Sequence, residues 1–290
     1  MSSKPEDRIY SGSWKDYALM DAGGGKKLER WGDIITIRPE VQAYFKSEKS
    51  FKEWEDLAHW EFVQKKAQSG SWKALKKDAP RTWSATYGQL CMQLEITKFK
   101  HVGLFPEQRA NWDFIQENCS PTTTFLNLFA YTGAASIVAR MKHAEVVHVD
   151  SVKQLVSWAN GNMALSKTEN IKWVVEDALK FAARERKRGK TYTGISMDPP
   201  AWGIGAKGEK WKLEDKLEEL LEISSALLAP NGFLILNTYS PTIDLRTIQL
   251  LARNYFTHRK WEVKELWMKS ISGKEVFYGN VLRVFPNRKK

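Results

Sequence analysis

Two regimes of hydrophobic patterning divide the chain. From residue 125 onward, short apolar runs alternate with longer stretches whose apolar residues recur every three or four positions. The runs are 125–129, 146–150, 172–175, 193–198 and 232–237; residues 134–142, 152–165, 178–188, 213–228 and 244–254 between them read as helices. Strict alternation of buried strand and helix predicts a parallel sheet covered by helices on both faces. The end differs: 261–268, a Ser272-Gly273 turn and 276–285 read as a β-hairpin.

The first hundred residues are patterned otherwise. Residues 17–21 and 27–31 flank Gly23-Gly24-Gly25 and predict a hairpin. Residues 33–38 alternate isoleucine with polar residues and stop at Pro39, 51–66 read as a short helix, and 83–99 suit strands broken at Gly88. The chain therefore divides into a smaller β-rich N-terminal domain, 1–100, and an α/β domain, 101–290, whose opening stretch to Asn118 is partly amphipathic.

Charge adds a candidate partner. The formal net charge is +11 and the pI about 9.4, which favours polyanions, nucleic acid above all. Lys65, Lys66, Lys73, Lys76, Lys77 and Arg81 are interleaved with Trp60, Trp72 and Trp83, a mixture suited to RNA, where bases stack and phosphates are neutralised; a solvated face over a small core has the same pattern. The two cysteines, Cys91 and Cys119, lack metal-site spacing and suit a reducing compartment. Residues 1–10 are polar, and no apolar run approaches the roughly 20 residues that span a bilayer. A cytoplasmic protein with no metal and no membrane partner is expected.

The candidate chemistry sits where the strands end. After the run 125–129, Ala130, Tyr131, Thr132 and Gly133 form a tight turn into a helix, which brings backbone N–H groups to a ligand at the carboxyl edge of the sheet. Asp150 ends the next strand about 20 residues on, where a carboxylate accepts both hydroxyls of a ribose. Glu176 and Asp177 follow the third strand, with Asp177 within reach of an adenine amine; each acid taken singly also suits a helix N-cap. The fourth strand runs into Met197-Asp198-Pro199-Pro200-Ala201-Trp202-Gly203. Neither proline has an N–H to donate, so Asp198 and the Pro199 carbonyl read as a rigid acceptor pair able to hold a planar amine.

Gly103-Leu104-Phe105-Pro106-Glu107-Gln108-Arg109, Asn127-Leu128-Phe129-Ala130-Tyr131-Thr132-Gly133, Asp150-Ser151, Asp177-Ala178 and Asp198-Pro199-Pro200, in that order, resemble the S-adenosylmethionine-dependent methyltransferases related to the large-subunit ribosomal RNA cytosine-5 and guanine-7 enzymes. The resemblance covers about residues 85–285. It implies a Rossmann-like, seven-stranded class I methyltransferase domain with a C-terminal antiparallel hairpin, S-adenosyl-L-methionine as cofactor, and RNA, ribosomal RNA in particular, as partner. It further implies that Phe129 to Gly133 wrap the methionine part, Asp150 takes the ribose, Asp177 the adenine, and Phe105 and Gln108 close over the cofactor, with Asn127, Ser151, Ala178 and Asp198 as the other motif members at the site.

Two departures qualify what carries over. No RNA-binding PUA domain is evident in the first hundred residues. The cytosine-5 enzymes also carry a nucleophilic cysteine after the fifth strand, and here that stretch is Leu236-Asn237-Thr238-Tyr239-Ser240-Pro241. Cytosine C5 is a poor nucleophile until a thiolate adds to C6, whereas a base nitrogen already has a lone pair and needs only positioning and a proton acceptor. Methylation of an RNA base at nitrogen is the expected activity, with Asp198, Pro199 and Pro200 as catalytic residues. A small-molecule methyltransferase, a cytosine-5 enzyme, and a non-catalytic RNA-binding protein with a relic cofactor site are the alternatives.

Overall fold

Each apolar run of the second half becomes a strand of one sheet. The computed structural model describes residues 5–66, 69–204, 208 and 210–287, the side chains of Pro5 and Lys66 excepted. In chain order the elements are β1 (Arg8–Ser11), β2 (Tyr17–Gly23), β3 (Lys26–Trp31), β4 (Ile34–Pro39), α1 (Phe51–Leu57), β5 (Trp60–Lys66), β6 (Ser69–Ala74), β7 (Thr82–Tyr87), β8 (Leu90–Glu95) and α2 (Arg109–Asn118). Then come β9 (Thr124–Leu128), α3 (Ala134–Met141), β10 (Glu145–Asp150), α4 (Lys153–Leu165), β11 (Ile171–Val175), α5 (Ala178–Lys187), β12 (Tyr192–Met197), β13 (Trp202–Ile204) and β14 (Lys210–Lys212). The chain ends with α6 (Leu213–Leu227), β15 (Leu228–Thr238), α7 (Leu245–Tyr255), β16 (Trp261–Lys269) and β17 (Glu275–Val284).

The main sheet has the order β1-β16-β17-β15-β12-β9-β10-β11. Strands β15, β12, β9, β10 and β11 are parallel neighbours, and β17 inserts antiparallel against β15, with Leu236 facing Leu282. This is the Rossmann-like arrangement the alternation predicts, extended at one edge by β1, whose Arg-Ile-Tyr-Ser sequence has no apolar run to announce it. Period-two alternation splits the core. Leu126 and Leu128 of β9 join Leu179, Phe181, Leu220 and Ile248 from α5, α6 and α7 on one face. Phe125, one residue out of phase, meets Phe233, which packs on Phe114 of α2. No helix among the described residues is long and apolar enough to cross a membrane.

The chain divides into two units: residues 1–9, 111–266 and 279–290 form one, and residues 10–110 with 267–278 form the other. The second unit thus contains a stretch of the C-terminal hairpin far from the rest of it in sequence. It holds a five-stranded sheet, β2-β3-β4-β5-β6, and the pair β7-β8. Residues 51–66, read as one helix, are a helix followed by a strand. Ser50 and Glu53 form a capping box, α1 stops at Ala58, and Trp60 and Phe62 then alternate inward as β5 pairs with β6. The tryptophans interleaved with the lysines are packed rather than open. Trp60 is buried with its indole N–H on the Pro80 carbonyl, and half-buried Trp72 and Trp83 pack against the same cluster. A strand's pairing decides which face its aromatics take, and cationic neighbours in sequence carry no information about that.

Charge is buried in this unit. Arg38 makes a two-pronged contact to Glu29 (2.6 and 2.8 Å), Tyr17 donates to the same carboxylate (3.0 Å), and Lys27 lies between Glu29 and Glu40 while donating to the Tyr278 hydroxyl. Burial pushes the Glu29 carboxyl up, but Arg38 and Lys27 outweigh it and hold it below the usual carboxylate range. Breaking such a buried pair leaves a charge unmatched. Glu29→Ala is therefore expected to lower stability by about 3–5 kcal/mol, and adding Arg38→Met should recover most of the loss. Urea unfolding of the two variants checks this; equal losses in both would show that the ion pair is not the source.

Candidate functional site

The turn after β9 is held in a conformation its side chains disfavour. Phe129 (φ 56°) and Tyr131 (φ 52°) both occupy the left-handed region, at a cost of about 1–2 kcal/mol each, and Gly133 follows at φ 93°. Gly133 has a second reason to lack a side chain, because a Cβ there would lie 2.9 Å from the Cβ of Ala159. The neighbouring strand ends fix the turn. The Ala130 N–H donates to the Val149 carbonyl, and the Tyr131 N–H donates to Asp150 Oδ2 at 2.9 Å. Asp150 Oδ1 accepts from the Val152 N–H, also at 2.9 Å, and the Asp150 carbonyl accepts from Glu176 N–H. One buried residue thus joins the ends of β9, β10 and β11. Burial raises the Asp150 carboxyl above its ordinary value, with the backbone N–H groups of Val152, Tyr131 and Ser151 opposing it.

A buried polar row lies one layer below. Asn127 is flanked in register by His148 and Ser196. Its amide donates to Ser136 Oγ (2.9 Å), which lies 3.0 Å from His148 Nδ1. Burial pushes His148 down to about 3, so the ring is neutral. This row pins α3 beneath the turn, and Asn162 adds a bond to the Thr132 carbonyl. Asn127 and Thr132 therefore face inward, at 4% and 1% exposure. Neither Ser136 nor Asn162 stands out in the sequence, where small polar residues on helices have no signature.

Along the same edge, Asp177 caps α5, its Oδ1 accepting from the Lys180 N–H at 2.9 Å, with Ala178 buried behind it. Glu176 is gripped by Arg184. Val152 and Val175, which no sequence motif marks, are exposed apolar side chains beside Asp150 and Glu176. Phe105 and Gln108 belong to the smaller unit, Phe105 leading into a short 3-10 turn at Pro106–Gln108 with its ring 5.1 Å from that of His101.

On the other side of β9, Asp198 follows β12. Burial pushes its carboxyl up to about 6, against a hydrogen bond from Asn237 Nδ2 at 3.2 Å. Pro199 is buried. The Pro200 carbonyl accepts from the Trp211 indole at 2.6 Å, and the Trp211 ring packs on Phe129 at 5.0 Å between centroids. Trp211 so bridges the loop after β12 and the turn after β9, a link invisible in sequence because it joins residues 82 positions apart, 129 and 211.

A buried carboxylate at the end of β10, a helix α3 whose N-terminus has no side-chain cap, and open valines at adjacent strand ends suit a nucleoside carrying an amino-acid chain. A family model for S-adenosylmethionine-dependent methyltransferases matches residues 58–253. The chain belongs to this family. A SAM-dependent methyltransferase from Agrobacterium tumefaciens, known from a crystal structure, is 33% identical with a TM-score of 0.90, covering 97% of this chain and 93% of that one. SMU.776 complexed with SAH superposes with a TM-score of 0.73 at 19% identity over 90% of this chain and 71% of that one, a likeness of fold. Ribosomal RNA large subunit methyltransferase K/L of Hahella chejuensis is 31% identical over 219 residues, and that of Marinobacter nauticus 28% over 212. These matches cover 72% and 71% of this chain but 28% of each relative, so the chain spans under a third of the curated relatives' length.

This methyltransferase uses S-adenosylmethionine, and the role of Asp150 in holding it is open to direct measurement. Asp150→Ala is expected to weaken S-adenosylmethionine binding by about 1.5–3 kcal/mol, the range for a lost charged acceptor. Calorimetry that returned the parent affinity would remove Asp150 from the cofactor site.

Proposed function

We propose that this methyltransferase methylates a base of RNA, ribosomal RNA first among candidates, at a nitrogen atom. The observation that carries the reading is the Asp198 carboxyl, pushed up to about 6 by burial and steadied by Asn237 at the end of the strand next to β9. A carboxylate with that value is ionised at neutral pH yet basic enough to accept a proton from a base amine or ring N–H. Bound S-adenosylmethionine supplies an electrophilic sulfonium methyl. Asp150 would hold the ribose, Val152 and Val175 would flank the adenine with Asp177 beside it, and Phe129 to Gly133 would line the methionine part. The remaining motif positions in this unit, Asn127, Ser151 and Ala178, are assigned to cofactor binding or to its support. Asp198 and the Pro199 carbonyl would hold the acceptor N–H so that the nitrogen lone pair faces the methyl, and Asp198 would take the proton as the N–C bond forms.

The thiols support nitrogen over carbon. Burial pushes Cys119 up to about 12, and it follows α2 on the amino side of β9; Cys91, in the smaller unit, is also raised by burial. Neither has the lowered value of a nucleophilic thiolate. The RNA part rests on the net charge of +11 and on the ribosomal RNA methyltransferases among the relatives.

Because only the carboxylate form accepts a proton, methyl transfer should rise with pH through about 6 and then level off. Asp198→Asn should abolish that rise and slow transfer at least about 100-fold, while S-adenosylmethionine affinity stays within about threefold. Single-turnover rates across the titration, with calorimetry of the cofactor, test both parts. A variant that kept the parent's pH profile would exclude Asp198 as the proton acceptor.

A further inference from the structure

β13 and β14 form a two-stranded antiparallel ribbon that begins two residues after Pro200. Its two faces differ. On the inner face Gly203 sits opposite Trp211, whose indole N–H reaches the Pro200 carbonyl and whose ring packs on Phe129. The Leu213 N–H closes the base of the ribbon on the Ala201 carbonyl at 3.0 Å. The ribbon is thereby fixed both to the acceptor loop and to the turn after β9.

On the outer face, the directly opposed pairs Trp202–Lys212 and Ile204–Lys210 place two apolar and two cationic side chains together. Trp202 is 50% exposed and Ile204 65% exposed. The chain has 13 tryptophans, and among the described residues Trp202 alone belongs to the exposed class. Lys212 is paired with Glu214 at 2.6 Å, which leaves Lys210 as the cation set beside Ile204. An open indole that shares a face with Lys210 has the chemistry of single-strand recognition: bases stack on the ring, and the cation neutralises the backbone.

We infer that the outer face formed by the strands Trp202–Ile204 and Lys210–Lys212 receives the single-stranded nucleotides flanking the target base, with Trp202 as the stacking platform and Lys210 against a phosphate. This rests on the RNA reading above and adds the surface by which the acceptor strand is gripped. The occupant is RNA rather than protein because the open aromatic shares its face with the cation Lys210, on a chain of net charge +11.

The test is fluorescence anisotropy of 5′-fluorescein decauridine titrated with the full chain in the presence of S-adenosylhomocysteine. Trp202→Ala should weaken RNA binding about tenfold, within the range for one lost base stack, and Lys210→Glu should also weaken it and flatten the salt dependence. S-Adenosylhomocysteine affinity should be unchanged in both, which also shows that they fold. Ile271→Ala, at an exposed position in the smaller unit, should bind as the parent does. If the parent binds RNA and both ribbon variants bind it equally well, the inference fails while the RNA reading stands. A parent that binds no RNA removes both. Self-association in sedimentation that Trp202→Ala abolishes would assign the face to a second copy of the chain and also overturn the inference.

Discussion

The carboxylate of Asp150 receives two backbone N–H groups, from Tyr131 and Val152, and the geometry of the sheet edge depends on them. Phe129 and Tyr131 are left-handed without being glycine, at a combined cost of about 2–4 kcal/mol. Hydrogen bonds to a charged acceptor contribute about 1.5–3 kcal/mol each, enough to offset that strain. Burial also raises the carboxyl above its ordinary value, and the backbone donors oppose that rise. The turn and the acid are each unfavourable alone and stable together. That mutual dependence leaves the end of β10 and the start of α3 preorganised rather than shaped by a ligand.

The loop after β12 is tied to this arrangement by one tryptophan. Trp211 fixes the carbonyl of Pro200 and covers Phe129, so a displacement of the turn after β9 is felt at the loop carrying Asp198. Methyl transfer requires donor and acceptor within a few tenths of an ångström of their reactive placement. The Trp211 ring couples the two loops through one aromatic contact. Asn237, at the end of β15, adds a third strand to the support of Asp198.

Much of the fold was readable because a buried parallel strand must be apolar on both faces, which marks β9, β10, β12 and β15 in the sequence. Features set by pairing partners were not. β1 is polar and short, and it joins the sheet only through β16, more than 240 residues away. Residues 60–66 carry no mark that separates strand from helix until β6 is placed beside them. The candidate site divides the same way. Asp150 and Asp198 were legible as acids at strand ends. The supports below them, Ser136, His148, Asn162 and Trp211, are ordinary residues whose roles arise from contacts across the fold. The strained φ values at Phe129 and Tyr131 have no sequence signal either, since neither residue favours that region.

Transfer of the sulfonium methyl to a nitrogen of an RNA base can be read directly by incubating the protein with ribosomal RNA and methyl-labelled S-adenosylmethionine, digesting the RNA to nucleosides, and locating the label by mass spectrometry. Label is expected in a nucleoside methylated on a ring or exocyclic nitrogen. Label in 5-methylcytidine, or transfer to small molecules with none to RNA, would contradict it.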